Sequence, residues 1–184
     1  MNTDKKAYTL SILVEDTPGV LSQVARLFSR KGYNIESICA GPTRTPGTTR
    51  ISVVTIGDEA MIRQIATQLA KLLLVISVDV LEGEDSIQRE LVLIKVRAED
   101  RDAREGIIQI TNVFRANIVD FGVNSLIVAV VGSADKIKAI IKLLEDYGIL
   151  ETVNTGTVAL SRGEGTIHDR NKDKDEYTYG KKMQ

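Results

Sequence analysis

One pattern occurs twice in this chain of 184 residues. Tyr8, Leu10, Ile12 and Val14 alternate with Thr9, Ser11 and Glu15, and Val92, Ile94 and Val96 alternate again in the second half. A period of two is that of a strand with one buried face. Helical spacing follows each run: Val20, Val24, Leu27 and Phe28 in the first half, and Ile107, Ile110, Thr111 and Phe114 in the second. GYNIES is echoed by RANIVD, and GDEAMIRQI by GSADKIKAI. Such an echo calls for two copies of one fold rather than a single larger domain.

Within the first copy, Tyr33 to Ala40 reads as a second strand. GPTRTPGTTR supplies turn residues, and Thr49 to Ile56 reads as a third strand. Asp58 or its neighbour opens a helix carrying Ile62, Ile65, Ala66 and Leu69, and Ile76, Val78 and Val80 alternate in a fourth strand. The order βαββαβ is the ferredoxin-like split βαβ arrangement. Glu82-Gly83-Glu84-Asp85-Ser86 breaks the pattern before the second copy begins. There, Asn117 to Gly122 and Ser125 to Val131 read as strands. Gly132-Ser133 heads a helix, and Thr152 to Leu160 closes the unit. The fold class expected is therefore α+β, two ferredoxin-like units in tandem. The expected divisions are an N-terminal segment 1–7, a first domain 8–82, a linker 83–89, a second domain 90–163 and a charged, disordered tail 164–184.

The stretch from Val14 to Ser37 is the most informative locally. Thr17 suits a helix N-cap, Pro18 suits the first helical position, and Arg26, Arg30 and Lys31 gather toward the negative end of the dipole. A helix start presents backbone N–H groups and positive dipole, so the amides around Gly19, Val20 and Leu21 can receive a carboxylate without a charged side chain. Asn34, on the following strand, offers both a donor and an acceptor. The same residues also suit a plain helix start followed by a turn.

The wording of that stretch, DTPGVLSQVARLFSRKGYNIESI, resembles the first half of an ACT domain, the amino-acid-sensing module. Together with the helix headed by Gly57 to Glu59 and the closing Leu160 to Gly163, the segment Phe28 to Ser37 is similar to the small regulatory subunits of acetolactate synthase, from about Tyr8 to Gly163. The resemblance implies a non-catalytic subunit that activates a large catalytic subunit and confers feedback inhibition by valine, with leucine and isoleucine as alternative effectors. It implies a homodimer through the ACT domains, with an effector site lined by Asp16, Thr17, Pro18, Gly19, Val20, Leu21, Asn34 and Ile35. In such a dimer one amino acid bridges the Gly19 and Val20 amides of one chain and Asn34 of its neighbour. Thiamine diphosphate, magnesium and FAD are implied for the catalytic partner, and no cofactor for this chain. The second unit reads RAEDRDAREG where the first has its Pro-Gly turn, so the same ligand is not expected there.

Composition narrows the competing classes. With 24 basic and 25 acidic residues the net charge is −1, and no single-sign field advertises nucleic acid or an anionic membrane. A βαββαβ fold can bind RNA, but the third strand lacks the aromatic residues that stack bases. The apolar runs are too short to span a membrane and the start is too polar for a signal peptide, so the cytoplasm is expected. Cys39 and His168 are each the sole residue of their type, so a thiolate and imidazole zinc site cannot be assembled within one chain, and no phosphate, dinucleotide or nucleophile motif occurs. His168 reads as a solvated tail residue, and Tyr177 and Tyr179 as candidate anchors on a partner. Arg44 and Arg50 fall on a Pro- and Gly-punctuated loop, where they are solvated or touch the catalytic subunit. A free-standing tandem ACT sensor, regulating transcription or another enzyme, is the alternative that shares the fold; a small enzyme is disfavoured by the absence of a positioned nucleophile or base.

Overall fold

The computed structural model describes residues 5–168. They divide into two compact units, the first comprising residues up to Gln88 together with those from Thr157 onward, and the second Arg89–Gly156.

In the first unit the order is β1 (Lys6–Glu15), α1 (Val20–Lys31), β2 (Ser37–Pro42), β3 (Thr48–Gly57), α2 (Glu59–Ala70) and β4 (Val75–Leu81). The strands form an antiparallel sheet ordered β2-β3-β1-β4, with β1 at its centre. Leu10, Ile12 and Val14 of β1 and Ile51 and Val53 of β3 are fully buried. They share one core with Val24 and Phe28 of α1 and Ile65 and Leu69 of α2. Burial of such side chains is worth roughly 1.5–3 kcal/mol each, well above helix-propensity differences of up to about 0.7 kcal/mol per residue. Packing therefore decides these helices.

The second unit repeats the plan. It contains most of β5 (Ser86–Arg97), then α3 (Arg101–Val113), β6 (Asn117–Phe121), β7 (Ser125–Gly132), α4 (Ala134–Leu144), a short 3-10 turn at Glu145–Tyr147, and β8 (Ile149–Asn154). Its strands are ordered β6-β7-β5-β8. Val92, Ile94, Val96, Leu126, Val128 and Val130 form the core beneath Ile107, Ile137 and Ile140. The repeat extends to detail, because the register of β1 against β4 shifts at Leu13/Val14 and that of β5 against β8 at Lys95/Val96. The GDEAM and GSADK echo has a physical basis. A Cβ on Gly57 would lie 2.5 Å from the Met61 sulfur, and one on Gly132 would lie 2.5 Å from the Lys136 side chain. In both units the residue four positions on folds back over the glycine.

Several boundaries differ from the sequence expectation. Tyr33 does not start a strand; its N–H donates to the Phe28 carbonyl at 3.0 Å and closes the end of α1, so β2 begins only at Ser37. The expected linker 83–89 is short, because β5 begins at Ser86. The expected closing strand, Thr152 to Leu160, is broken at Gly156, whose φ is 77°, into β8 and β9 (Val158–Ser161). The latter belongs to the first unit. There the Arg162 N–H donates to the Asp85 carbonyl at 2.8 Å, and β9 packs against β1 and β4. Arg50 lies within β3 and is half-buried, leaving Arg44 as the exposed arginine at the hairpin tip. His168 is exposed; Tyr177, Tyr179 and most of the expected tail lie outside the described residues.

The two units also differ at one helix end. Gly32 takes φ 72° after α1, and the residue in the same role after α3 is Arg115, at φ 48°. A left-handed conformation costs a side-chain-bearing residue about 1–2 kcal/mol. Arg115→Gly is therefore expected to stabilise the protein by about 1 kcal/mol and to raise Tm by about 2–4 °C. Calorimetry checks this, and an unchanged or lower Tm would show that the arginine side chain offsets its backbone strain.

Candidate effector site at the start of the first helix

The expected Thr17 N-cap and Pro18 first helical residue are both displaced. Helix α1 starts at Val20, its N-cap is Gly19, and no side chain caps it. Thr17 to Val20 instead form a type II turn. The Val20 N–H donates to the Thr17 carbonyl at 3.3 Å, Pro18 occupies the second position, and Gly19, with φ 91° and ψ −5°, occupies the third. That third position requires a positive φ, which is why glycine follows the proline.

The turn is anchored to two other parts of the sheet. The Glu15 N–H donates to Leu74 at 2.9 Å, and the Asp16 N–H donates to Gly47, at the β2–β3 hairpin, at 2.8 Å. Residues 16–19 are exposed around an open depression of about 620 Å³ lined by Asp16, Thr17, Pro18, Gly19, Val20, Leu21, Ser22 and Thr49.

The other helices show what is missing at this one. Asp58 accepts from the Met61 N–H at 2.8 Å, Asp100 from Ala103 at 2.7 Å, and Ser133 from Lys136 at 3.4 Å. The first turns of α2, α3 and α4 also carry Glu59, Asp102 and Asp135, whereas the first turn of α1 has no acidic residue. The first-turn N–H groups of Leu21 and Ser22 have no intrahelical acceptor, and nothing negative on the helix compensates the dipole there. In the second unit the Asp100 carboxylate already occupies the equivalent position.

The depression can hold a zwitterion. First-turn amides suit a carboxylate, Asp16 supplies the opposite charge for an ammonium group, and Pro18, Val20 and Leu21 provide an apolar wall. Of the expected site residues, Asp16 to Leu21 come together here, while Asn34 and Ile35 do not. Those two follow the other end of α1, whose 12 residues span about 18 Å. Asn34 is exposed, its Nδ2 donating to Glu36 at 2.5 Å and its carbonyl accepting from Thr55 Oγ1 at 2.7 Å; Ile35 is half-buried against the core. Ser22 and Thr49 were not expected as lining. The signal for Thr49 lay in the hairpin length, which sets it opposite Val14 in the β1–β3 pairing.

Strand β2 bounds the sheet on this side, and no strand pairs with its outer edge among the described residues. Ile38 and Ala40 lie opposite Val53 and Ile51 and so share the helix-side face, yet Ile38 is 41% exposed and Leu21 on α1 is 45% exposed.

Comparison with known proteins agrees with this architecture. Residues 10–77 match the family described as the AHAS small subunit-like ACT domain, and residues 89–163 match the small subunit of acetolactate synthase. The chain is 46% identical to the acetolactate synthase small subunit of Mycobacterium leprae over 156 residues, 85% of this chain and 92% of that protein. It is 45% identical to the probable acetolactate synthase small subunit of Methanothermobacter thermautotrophicus over 160 residues, covering 87% and 95% respectively. The crystal structure of the small subunit from Thermotoga maritima superposes with a TM-score of 0.81 at 36% identity, covering 87% of this chain and 99% of that one. The tandem ferredoxin-like units, the ACT-type first unit and these matches along both units place the chain in the acetolactate synthase small-subunit family.

Proposed function

We propose that this chain is the non-catalytic regulatory subunit of a thiamine diphosphate-dependent acetolactate synthase, raising the activity of the large catalytic subunit and making it sensitive to valine. It acts in the cytoplasm, in the synthesis of branched-chain amino acids from pyruvate and 2-oxobutanoate. In this reading thiamine diphosphate, magnesium and FAD are held by the catalytic partner. The observation that carries the effector role is the uncapped start of α1, the one helix among the four described whose N-terminus lacks a side-chain acceptor.

The ligand carboxylate sits on the amides of Leu21 and Ser22, since the Val20 N–H is taken by the Thr17 carbonyl; its ammonium group faces Asp16, and its aliphatic side chain lies against Val20 and Leu21. Because Asn34 is about a helix length away in the same chain, the Asn34 that completes the site comes from a second copy. The open edge of β2, with Ile38 and Leu21 exposed beside it, supports pairing of two first units in a homodimer. A ligand that binds across such a pair favours one arrangement of the two chains over another, and that differential affinity is what coupling to a distant catalytic centre requires. Valine is favoured over isoleucine or leucine by no feature of the turn, since one methylene is worth only about 1–3 kcal/mol of discrimination.

The deciding experiment is acetolactate formation by the cognate catalytic subunit, with and without this chain, across a valine titration. A rate raised by the chain and then suppressed by valine is expected; a rate unchanged at every ratio would return the chain to a free-standing ACT sensor. Two variants test the site by calorimetric titration with valine. Asn34→Ala should weaken binding by about 1.5–3 kcal/mol, roughly 10- to 100-fold, while leaving stability within about 0.5 kcal/mol, since its side chain is exposed. Gly19→Ala meets no atom within 4 Å, so its methyl group would project into open space, at a backbone cost of about 1–2 kcal/mol from the positive φ. A folded Gly19→Ala protein that binds valine as the parent does would remove this turn from the site.

A further inference from the structure

The two units share strand order, but the sheet faces away from their helices are made of different residues. In the second unit that face is aliphatic, with Leu91 beside Val131 and Leu93 beside Ala129 and Val153. In the first unit the strand pairings set Ser11 beside Ser52, Thr9 beside Leu81 and Leu13 beside Ser77. That mostly hydroxyl-bearing face is nonetheless closed to water, since none of these side chains is more than 5% exposed. What covers it is the chain's own return, in which β9 packs against β1 and β4. Ala159 and Ile167 of the returning segment are buried, while Val158 and Leu160 point outward. The helix-side core of the unit includes none of these residues. We propose that residues 157–167 form a strap that opens and closes over this face while the helix-side core stays intact.

The lining beneath the strap favours opening. Thr9 donates to Gln88 at 3.2 Å, but the Ser11 and Ser77 hydroxyls are buried with no hydrogen-bond partner among the described residues. A buried hydroxyl that makes no bond opposes the closed state, because water satisfies it as soon as the face is uncovered. Against this, the aliphatic groups that hold the strap down are few: Leu13 and Leu81 on the sheet, Ala159 and Ile167 on the strap. The remaining ties are those of a short edge segment. The Thr157 N–H donates to Ser37 Oγ at 3.4 Å, the Arg162 N–H donates to the Asp85 carbonyl at 2.8 Å, and the four residues of β9 pair with β5. Gly156 and Gly163, both at φ 77°, bracket β9, so the backbone can swing at each end without a side chain in the way. Little buried apolar surface and few backbone bonds are the marks of a segment that opens on its own. Leu10, Ile12 and Val14 face the other way, into the helix-side core, and keep their packing when the strap lifts. With the strap open, one of the two crossings between the units is slack and only the one within β5 is held.

The test uses the full chain with Cys39→Ser and one new thiol, either Ser77→Cys beneath the strap or Val24→Cys in the helix-side core, treated with a thiol reagent at rising urea. The Ser77→Cys thiol is expected to react at least about 100-fold faster than the Val24→Cys thiol. Its rate should stay flat at low urea, because strap opening exposes little surface, whereas the Val24→Cys rate should climb with global unfolding. Adding Ser11→Ala replaces an unpartnered hydroxyl by a methyl group and should slow labelling of Ser77→Cys about fivefold. Adding Ile167→Ala should speed it about tenfold. Hydrogen exchange of the unaltered chain gives an independent reading, in which the amides of Val158 to Ser161 exchange about 100-fold faster than those of Leu10 to Val14 and without urea dependence. Equal rates with equal urea slopes, at the two thiols or in the two strands, would mean that the face is uncovered only by global unfolding and would overturn the inference. So would labelling of Ser77→Cys that ignores Ile167→Ala, or that Ser11→Ala leaves unchanged or accelerates.

Discussion

Each unit is built on the burial of its first strand. β1 lies between β3 and β4, and β5 between β7 and β8, so the chain must lay down the centre of the sheet first and supply both neighbours later. Because Leu10, Ile12 and Val14 are fully buried, the register of β1 is fixed by its hydrophobic period: a slip of one residue would turn serine and threonine into the helix-side core. Everything at the candidate site follows from that placement. The end of β1 delivers Glu15 and Asp16 to Leu74 and Gly47, and those hydrogen bonds hold the type II turn from which α1 departs.

A helix start is a common feature, and three of the four here neutralise themselves with their own side chains. What distinguishes α1 is that its turn uses glycine at the cap, which supplies the necessary φ but no acceptor. The conformational requirement and the free amides are thus two results of one residue choice. The second unit reaches the same fold with Asp100 at that position, so identical topology gives one open helix end and one closed. Divergence between the copies is concentrated in such details: a capping residue, the glycine or arginine after the first helix, and the polarity of one sheet face.

Strand order, helix positions and the two-copy plan were legible in the sequence because they rest on periodicity, and periodicity is set by the core. Val20, Val24, Leu27 and Phe28 are the buried residues of α1, as their spacing requires. The turn was harder to read. Thr17-Pro18-Gly19 is compatible both with an N-cap followed by proline and with a type II turn, and only the hydrogen bond from Val20 to Thr17 decides between them. Six residues lining the candidate depression, Asp16 to Leu21, were legible as neighbours in sequence, but Thr49 reaches it through strand pairing and Asn34 is held away by the length of α1. Neither relation is local, so neither leaves a local signal. The family match runs to residue 163, as the expected second domain does, whereas the compact second unit ends at Gly156. Residues on both sides of Gly156 have strand character and both strands pair with β5, so alternation cannot tell which compact unit each joins.

That last feature changes what counts as a module. The polypeptide leaves the first unit at Gln88 and re-enters it at Thr157, so the second unit is an insertion in the first rather than an appendage to it. Two covalent crossings, not one hinge, join them. A fragment ending at the polar break after β4 would contain every element of a βαββαβ fold and still lack β9, together with the buried Ala159 and Ile167. Its sheet would present to water a face on which the Ser11 and Ser77 hydroxyls have no partner in the intact chain. The unit that looks self-sufficient by element order depends on the last part of the described chain, and synthesis from the N-terminus must finish both units before the first is closed.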